Sequence, residues 1–224
     1  GPAWTGPSEL PRWIYGFAIW VGRIKKTLFA AEQNRPDVAE KRAAWHKQIA
    51  QESATRLIFV DESGANTKMT RLRGRSLEGQ RVVGRIPQGH YQTTTLIAGI
   101  HLQGPCAPWL FEGAMDGEMF LAWVIQGLVP TLQKGDLVIM DNLATHKVQG
   151  VTEAIEQAGA RLSYLPPYSP DFNPIENMWS KIKQILRSAN PRTGSELIQA
   201  AQTAFQAISS ADCHGFFSNA NYAT

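Results

Sequence analysis

The sequence predicts an α/β fold in which a mixed five-stranded sheet carries helices on both faces. Three observations support this. Runs such as "RLIFV" and "DLVIM" are apolar at every position, as strands covered on both sides require. Segments with helical periodicity alternate with those runs through the second half of the chain. The first three expected strands are joined by short turns and suit an antiparallel meander.

In order, "RPDVAEKRAAWHKQIAQES" (35–53) places Val38, Arg42, Trp45 and Ile49 at near-helical spacing with charges elsewhere, so a helix is expected. "TRLIFVDESG" reads as a buried strand ending at Asp61. "TKMTRLRGRS" is expected to be a second strand, and the Thr- and Ile-rich "HYQTTTLIAGIHLQG" a third. "GEMFLAWVIQGLVPTL" (117–132) has a helical period and runs to a turn at Gly135 and Asp136. "DLVIMDN" is an apolar strand ending on Asp141; "KVQGVTEAIEQAGA" is a helix stopped by Gly159; "RLSYLPPYS" is a strand broken by prolines. "PIENMWSKIKQILRS" and "TGSELIQAAQTAFQAIS" close the chain as helices.

With 224 residues, 43% apolar and 18% charged, the chain suits one sizeable globular domain and excludes a disordered protein. A net charge of +3 permits a polyanionic partner without requiring one. Cys106 and Cys213 form no zinc-type spacing and read as buried thiols of a reducing compartment. "AIWVG" (18–22) is too short to span a bilayer, so a cytoplasmic location is expected. Residues 1–24 begin Gly-Pro and show no clean period; they read as a tag remnant or linker outside the domain at 25–224.

Asp61 and Asp141 each follow a hydrophobic strand, and sites of open α/β sheets gather outside such strand ends. Side by side, two carboxylates repel unless a cation lies between them, and hard oxygen ligands favour Mg²⁺ or Mn²⁺. Either aspartate alone reads more readily as a turn or cap residue. Glu176 has its own dual reading. Asn173 is a good N-cap and Pro174 suits the first helical position, so Glu176 could reach back to the cap. The same place sets a carboxylate at the positive end of the helix dipole, as a metal ligand needs. Along that helix, Glu176, Ser180, Lys183 and Arg187 form a polar stripe beside an apolar one. A carboxylate followed by two basic residues suits a metal site near a phosphate backbone, or simply a solvated face.

"FVDES", "IMDNLATHK" and "YLPPYSPDFNPIENMWSKIK" resemble the three signature blocks of the mariner-like transposase superfamily, in its bacterial insertion-sequence branch. The 34 residues between Asp141 and Glu176 match that family's characteristic gap, and the similarity runs over about 25–224. The resemblance implies a ribonuclease H-like catalytic domain, consistent with the order of elements, and an Asp-Asp-Glu triad of Asp61, Asp141 and Glu176. It further implies two Mg²⁺ ions, replaceable by Mn²⁺, one activating the attacking oxygen and one stabilising the leaving oxygen. Its partner would be DNA: the element's ends and a target, typically TA. A homodimer is expected, because transposition couples two ends. The family's N-terminal helix-turn-helix region has no counterpart in residues 1–24, and the usual proline and basic residue are absent near Leu77 and Glu78.

Arg71, Arg73 and Arg75 alternate, so on a strand they would share a face and could follow a DNA backbone or guard an edge. Asn142 and His146 follow the second aspartate; His146 could orient a phosphate or water, or be structural. Asp171 is the weaker rival to Glu176, and tryptophans such as Trp109 and Trp123 read as core. The expected activity is metal-dependent cleavage and joining of DNA. A nuclease of the same fold without strand transfer, or a non-catalytic DNA-binding derivative, are the alternatives.

Overall fold

The structure is a computed structural model and describes residues 30–77, 80–89 and 91–222. The expected linker at 1–24 and the position of Glu78 lie outside the described residues.

The first helix, α1, spans Pro36–Ile49 and buries Val38, Trp45 and Ile49, as the spacing predicts. Strand β1 (Leu57–Asn66) follows, then β2 (Thr93–His101), β3 (Gly104–Glu112), β4 (Leu137–Met140) and β5 (Arg161–Tyr164). The sheet order is β3-β2-β1-β4-β5. β1, β2 and β3 pair antiparallel, while β4 and β5 run parallel to β1. The mixed five-stranded sheet is therefore the expected one, but two of its strands differ from expectation.

Residues 67–76 are not a strand. The Asn66 side chain accepts a hydrogen bond from Lys68 N (3.0 Å), and Met69 N bonds the Asn66 carbonyl (3.2 Å), so a turn ends β1 and the chain leaves the sheet. Arg71, Arg73 and Arg75 consequently share no strand face. The missing strand is β3, whose Pro105 and Pro108 hide it from a pattern reading. Because β3 is the outermost strand, prolines without N–H groups are tolerated there. β1 also runs on past Asp61, because β2 keeps pairing with it as far as Asn66↔Thr93 while β4 stops at Met140.

Side-chain alternation divides the core into two layers. On one face Leu57, Phe59, Leu137 and Ile139 pack beneath α1 and the C-terminal helices α4 (Ile175–Ala189), α5 (Gly194–Gln206) and α6 (Ser210–Asn219). On the other, Ile58, Val60, Val138 and Met140 pack beneath α2 (Gly117–Trp123) and α3 (Val151–Gln157). The helix expected over 117–132 begins as α2, capped by Asp116 through Met119 N (2.8 Å), then changes to a π turn and a 3-10 turn containing Pro130. Cys106 and Cys213 are free and buried, and Trp123 is fully buried.

Candidate active site

The parallel register of β1 and β4 pairs Leu57 with Leu137, Ile58 with Val138 and Phe59 with Ile139. Carried two residues further, it sets Asp61 beside Asp141. Both aspartates share the parity of Phe59 and Ile139, so both face α4. Glu176, in the first turn of α4, meets them there. The three carboxylates line one cavity of about 500 Å³ whose walls also include Asn142, Leu143 and Tyr168.

The electrostatics reflect this grouping. Burial, and then the charge of Glu176, push the Asp61 carboxyl up to about 8. Burial also raises Glu176, against the opposing pull of Lys183 and with a further push from Asp141. Among the described residues, Oδ1 of Asp61 accepts a bond only from the adjacent Glu62 N (2.8 Å) and Glu176 has no side-chain partner. An all-oxygen donor set of mutually repelling carboxylates fits a hard divalent cation. Among the described residues, however, no three His, Cys, Asp or Glu side chains converge tightly enough to grip an ion. The triad lines the cleft without closing on one point.

Asp141 is held more firmly. Its Oδ1 accepts from Leu143 N (3.1 Å) and lies 2.6 Å from His146 Nδ1. The other ring nitrogen, Nε2, lies 2.9 and 3.1 Å from the two oxygens of Glu62. With a carboxylate at each nitrogen, both nitrogens donate and the ring is an imidazolium. Burial opposes that charge, but the bonds to Asp141 and Glu62 outweigh it and push His146 to about 10. His146 is fully buried and lies 4.4 Å from the Phe120 ring of α2. Sequence reading named His146 but missed Glu62. The signal was its parity: next to Asp61 on a strand, Glu62 must face the opposite layer, where His146 sits.

The expected cap on α4 does not form. Asn173 makes no side-chain cap bond, Pro174 already has helical dihedrals, and the buried Asn173 Oδ1 has no partner. Only the Asn173 carbonyl accepts, from Glu176 N (3.2 Å), so the Glu176 carboxylate faces the cleft instead of folding back. Asp171 does not line the cavity, and Arg42 holds it with bonds of 3.0 and 2.6 Å that outweigh its burial and lower its pKa.

Arg71, Arg73 and Arg187 line a second groove, of about 710 Å³, together with Ser180 of α4. Arg71 Nε donates to Ser188 Oγ (3.2 Å), which ties the loop after β1 to α4. Arg75 is exposed in the same loop but does not line this groove.

The model of the DDE superfamily endonuclease family matches residues 56–198, well over half of the chain and all three carboxylates. The chain belongs to the DDE superfamily endonucleases. Among solved structures, the chain is similar to the Mos1 transposase of a pre-cleavage transpososome (TM-score 0.70, 13% identity), covering 90% of its own length and 66% of that chain. It is likewise similar to the Mos1 mariner paired-end complex with Mn (TM-score 0.68, 15% identity), covering 89% of this chain and 63% of that one. Against the isolated catalytic domain of Mos1 mariner transposase the TM-score is 0.62 at 13% identity, with 89% and 95% covered. The chain thus has the ribonuclease H-like fold of that catalytic domain and spans about two thirds of the longer Mos1 chains. No curated protein sequence matches it.

Proposed function

We propose that this DDE endonuclease is the catalytic domain of a mariner-like DNA transposase, with Asp61, Asp141 and Glu176 as its metal-holding residues. The observation that carries the reading is that Asp61, just beyond the β1–β4 register, Asp141 and Glu176 in the first turn of α4 line the same cavity. Mos1 complexes obtained with Mn and with Mg support divalent metal use. Two divalent cations held there would activate an attacking water or 3′-hydroxyl and stabilise the leaving oxygen at phosphorus.

The chain's own residues do the rest. His146 fixes the Asp141 carboxylate on one side and leaves its second oxygen for a cation. Lys183 offsets part of the negative charge that an approaching phosphate would meet at Glu176. Arg71, Arg73 and Arg187 line a groove suited to the DNA backbone on either side of the cut. The DNA would comprise element ends and a target, with a homodimer holding the two ends and a helix-turn-helix region recognising them. A bacterial insertion-sequence origin and cytoplasmic residence accompany the reading. Among the described residues no helix is long and apolar enough to cross a membrane.

The test joins the chain to its end-recognition region and supplies labelled element ends with Mg²⁺. Cleavage followed by joining, both lost in Glu176→Gln, is the expected result. Cleavage without joined product would favour a nuclease, and no metal-dependent cleavage a regulatory DNA-binding protein.

A further inference from the structure

Tyr168 has a backbone conformation that needs explaining. Its φ is +55°, in the left-handed region that a bulky aromatic residue seldom occupies, and its side chain is 46% exposed. Core packing therefore does not account for the residue.

The surrounding contacts fix this conformation. Gln33 Nε2 donates to the Tyr168 carbonyl at 2.7 Å and to Asp171 at 3.2 Å. Arg42 of α1 donates to Ser169 Oγ at 2.7 Å and pairs with Asp171, while its guanidinium sits 3.9 Å from the Phe172 ring. Two residues N-terminal to the sheet thus hold the Tyr168 carbonyl and the residues that follow it.

Tyr168 also lines the cavity that holds Asp61, Asp141 and Glu176. Around it, Leu143, Leu165, Pro166 and Pro167 form apolar wall beside the carboxylates. A cavity of about 500 Å³ is large enough for a nucleotide. The carboxylate side suits a phosphate with its cations, and the apolar side suits the flat face of a base.

We infer that Tyr168 is a stacking platform for an unpaired nucleobase next to the scissile phosphate. The inference rests on the reading of this cleft as a DNA-cleaving site and extends it to a base subsite. An aromatic face stacks on any base, so the subsite selects for strand opening beside the cut more than for sequence.

The experiment uses the 224-residue chain with Ca²⁺ in place of Mg²⁺, so that DNA binds without being cut. The probe is a short duplex with a single-stranded overhang carrying one 2-aminopurine at the junction. Fluorescence quenching reports stacking, and anisotropy reports affinity. Wild type and Tyr168→Phe are expected to quench the probe. Tyr168→Ala and Tyr168→Gly should lose the quenching and bind the overhang roughly 5- to 100-fold more weakly, with blunt duplex affinity unchanged. Glycine adopts positive φ without cost, so Tyr168→Gly keeps the fold even if alanine does not. Undiminished quenching in Tyr168→Gly would overturn the platform while leaving the cleavage site intact. Failure of the wild type to bind either DNA would overturn the subsite, while cleavage by the chain joined to its end-recognition region still decides the transposase reading.

Discussion

His146 Nδ1 lies 2.6 Å from Asp141 Oδ1 while its Nε2 lies 2.9 Å from Glu62, so one buried imidazole links the two layers of the sheet at the cleft. Removing Glu62 frees the far side of that ring and with it the orientation of Asp141. Glu62→Ala is expected to lower Mn²⁺ affinity and cleavage by about 10- to 100-fold, with secondary structure retained. Titrating Mn²⁺ by calorimetry, alongside cleavage rates across Mn²⁺ concentration, checks both.

The cation-free protein should lose stability as pH rises because of Asp61. Its folded-state pKa of about 8 lies far above the usual carboxylate value, so the folded state favours the protonated form. That contribution is complete below about pH 4 and is lost as pH climbs through 8. Asp61→Asn has no proton to lose. Its melting temperature without metal should match the wild type near pH 4 and exceed it by several degrees at pH 8.5, at about 2–4 °C per kcal/mol. Mg²⁺ or Mn²⁺ should raise the wild-type melting temperature more at pH 8 than at pH 6, and should do little for Asp61→Asn.

Arg42 and Asp171 tie α1 to the cleft wall through a partly buried ion pair of 2.6 Å. Arg42→Ala strands the Asp171 carboxylate and removes the cation resting on Phe172. A loss of about 2 kcal/mol is expected, seen as a melting temperature lower by roughly 4–8 °C. Arg42→Lys should recover only part of it, since a point charge cannot form both bonds to the carboxylate.

The groove of Arg71, Arg73 and Arg187 gives a prediction about salt. Each arginine that contacts a phosphate releases about one counterion, so each substitution to alanine should flatten the slope of log affinity against log salt by about 1. Arg75→Ala, outside the groove, should leave the slope unchanged. Binding of a non-specific duplex at several salt concentrations makes the comparison.

The sequence by itself picked out the three carboxylates that the fold brings to one cavity. "FVDES", "IMDN" and "NPIEN" carry their carboxylates on apolar strands and a strongly patterned helix, and local hydrophobic pattern suffices to place those elements. It failed where non-local pairing overrides local preference. Residues 67–76 look like a strand but find no partner once the Asn66 turn takes the chain off the sheet, whereas the proline-bearing β3 is a strand because β2 offers it an outer edge. A cap at Asn173 is the local expectation, but its buried Oδ1 finds no partner at the helix start.

Only the tertiary structure decided how these residues meet. The register of β1 against β4 puts Asp61 beside Asp141 across a separation of 80 positions, and side-chain parity sends Glu62 to the other layer to hold His146. Arg42 and Gln33 hold Asp171 and the Tyr168 carbonyl from more than a hundred residues away. Pattern in a sequence reports the face a residue shows. Which other residue it meets on that face depends on strand order, register and packing, and these are settled only when the whole chain folds.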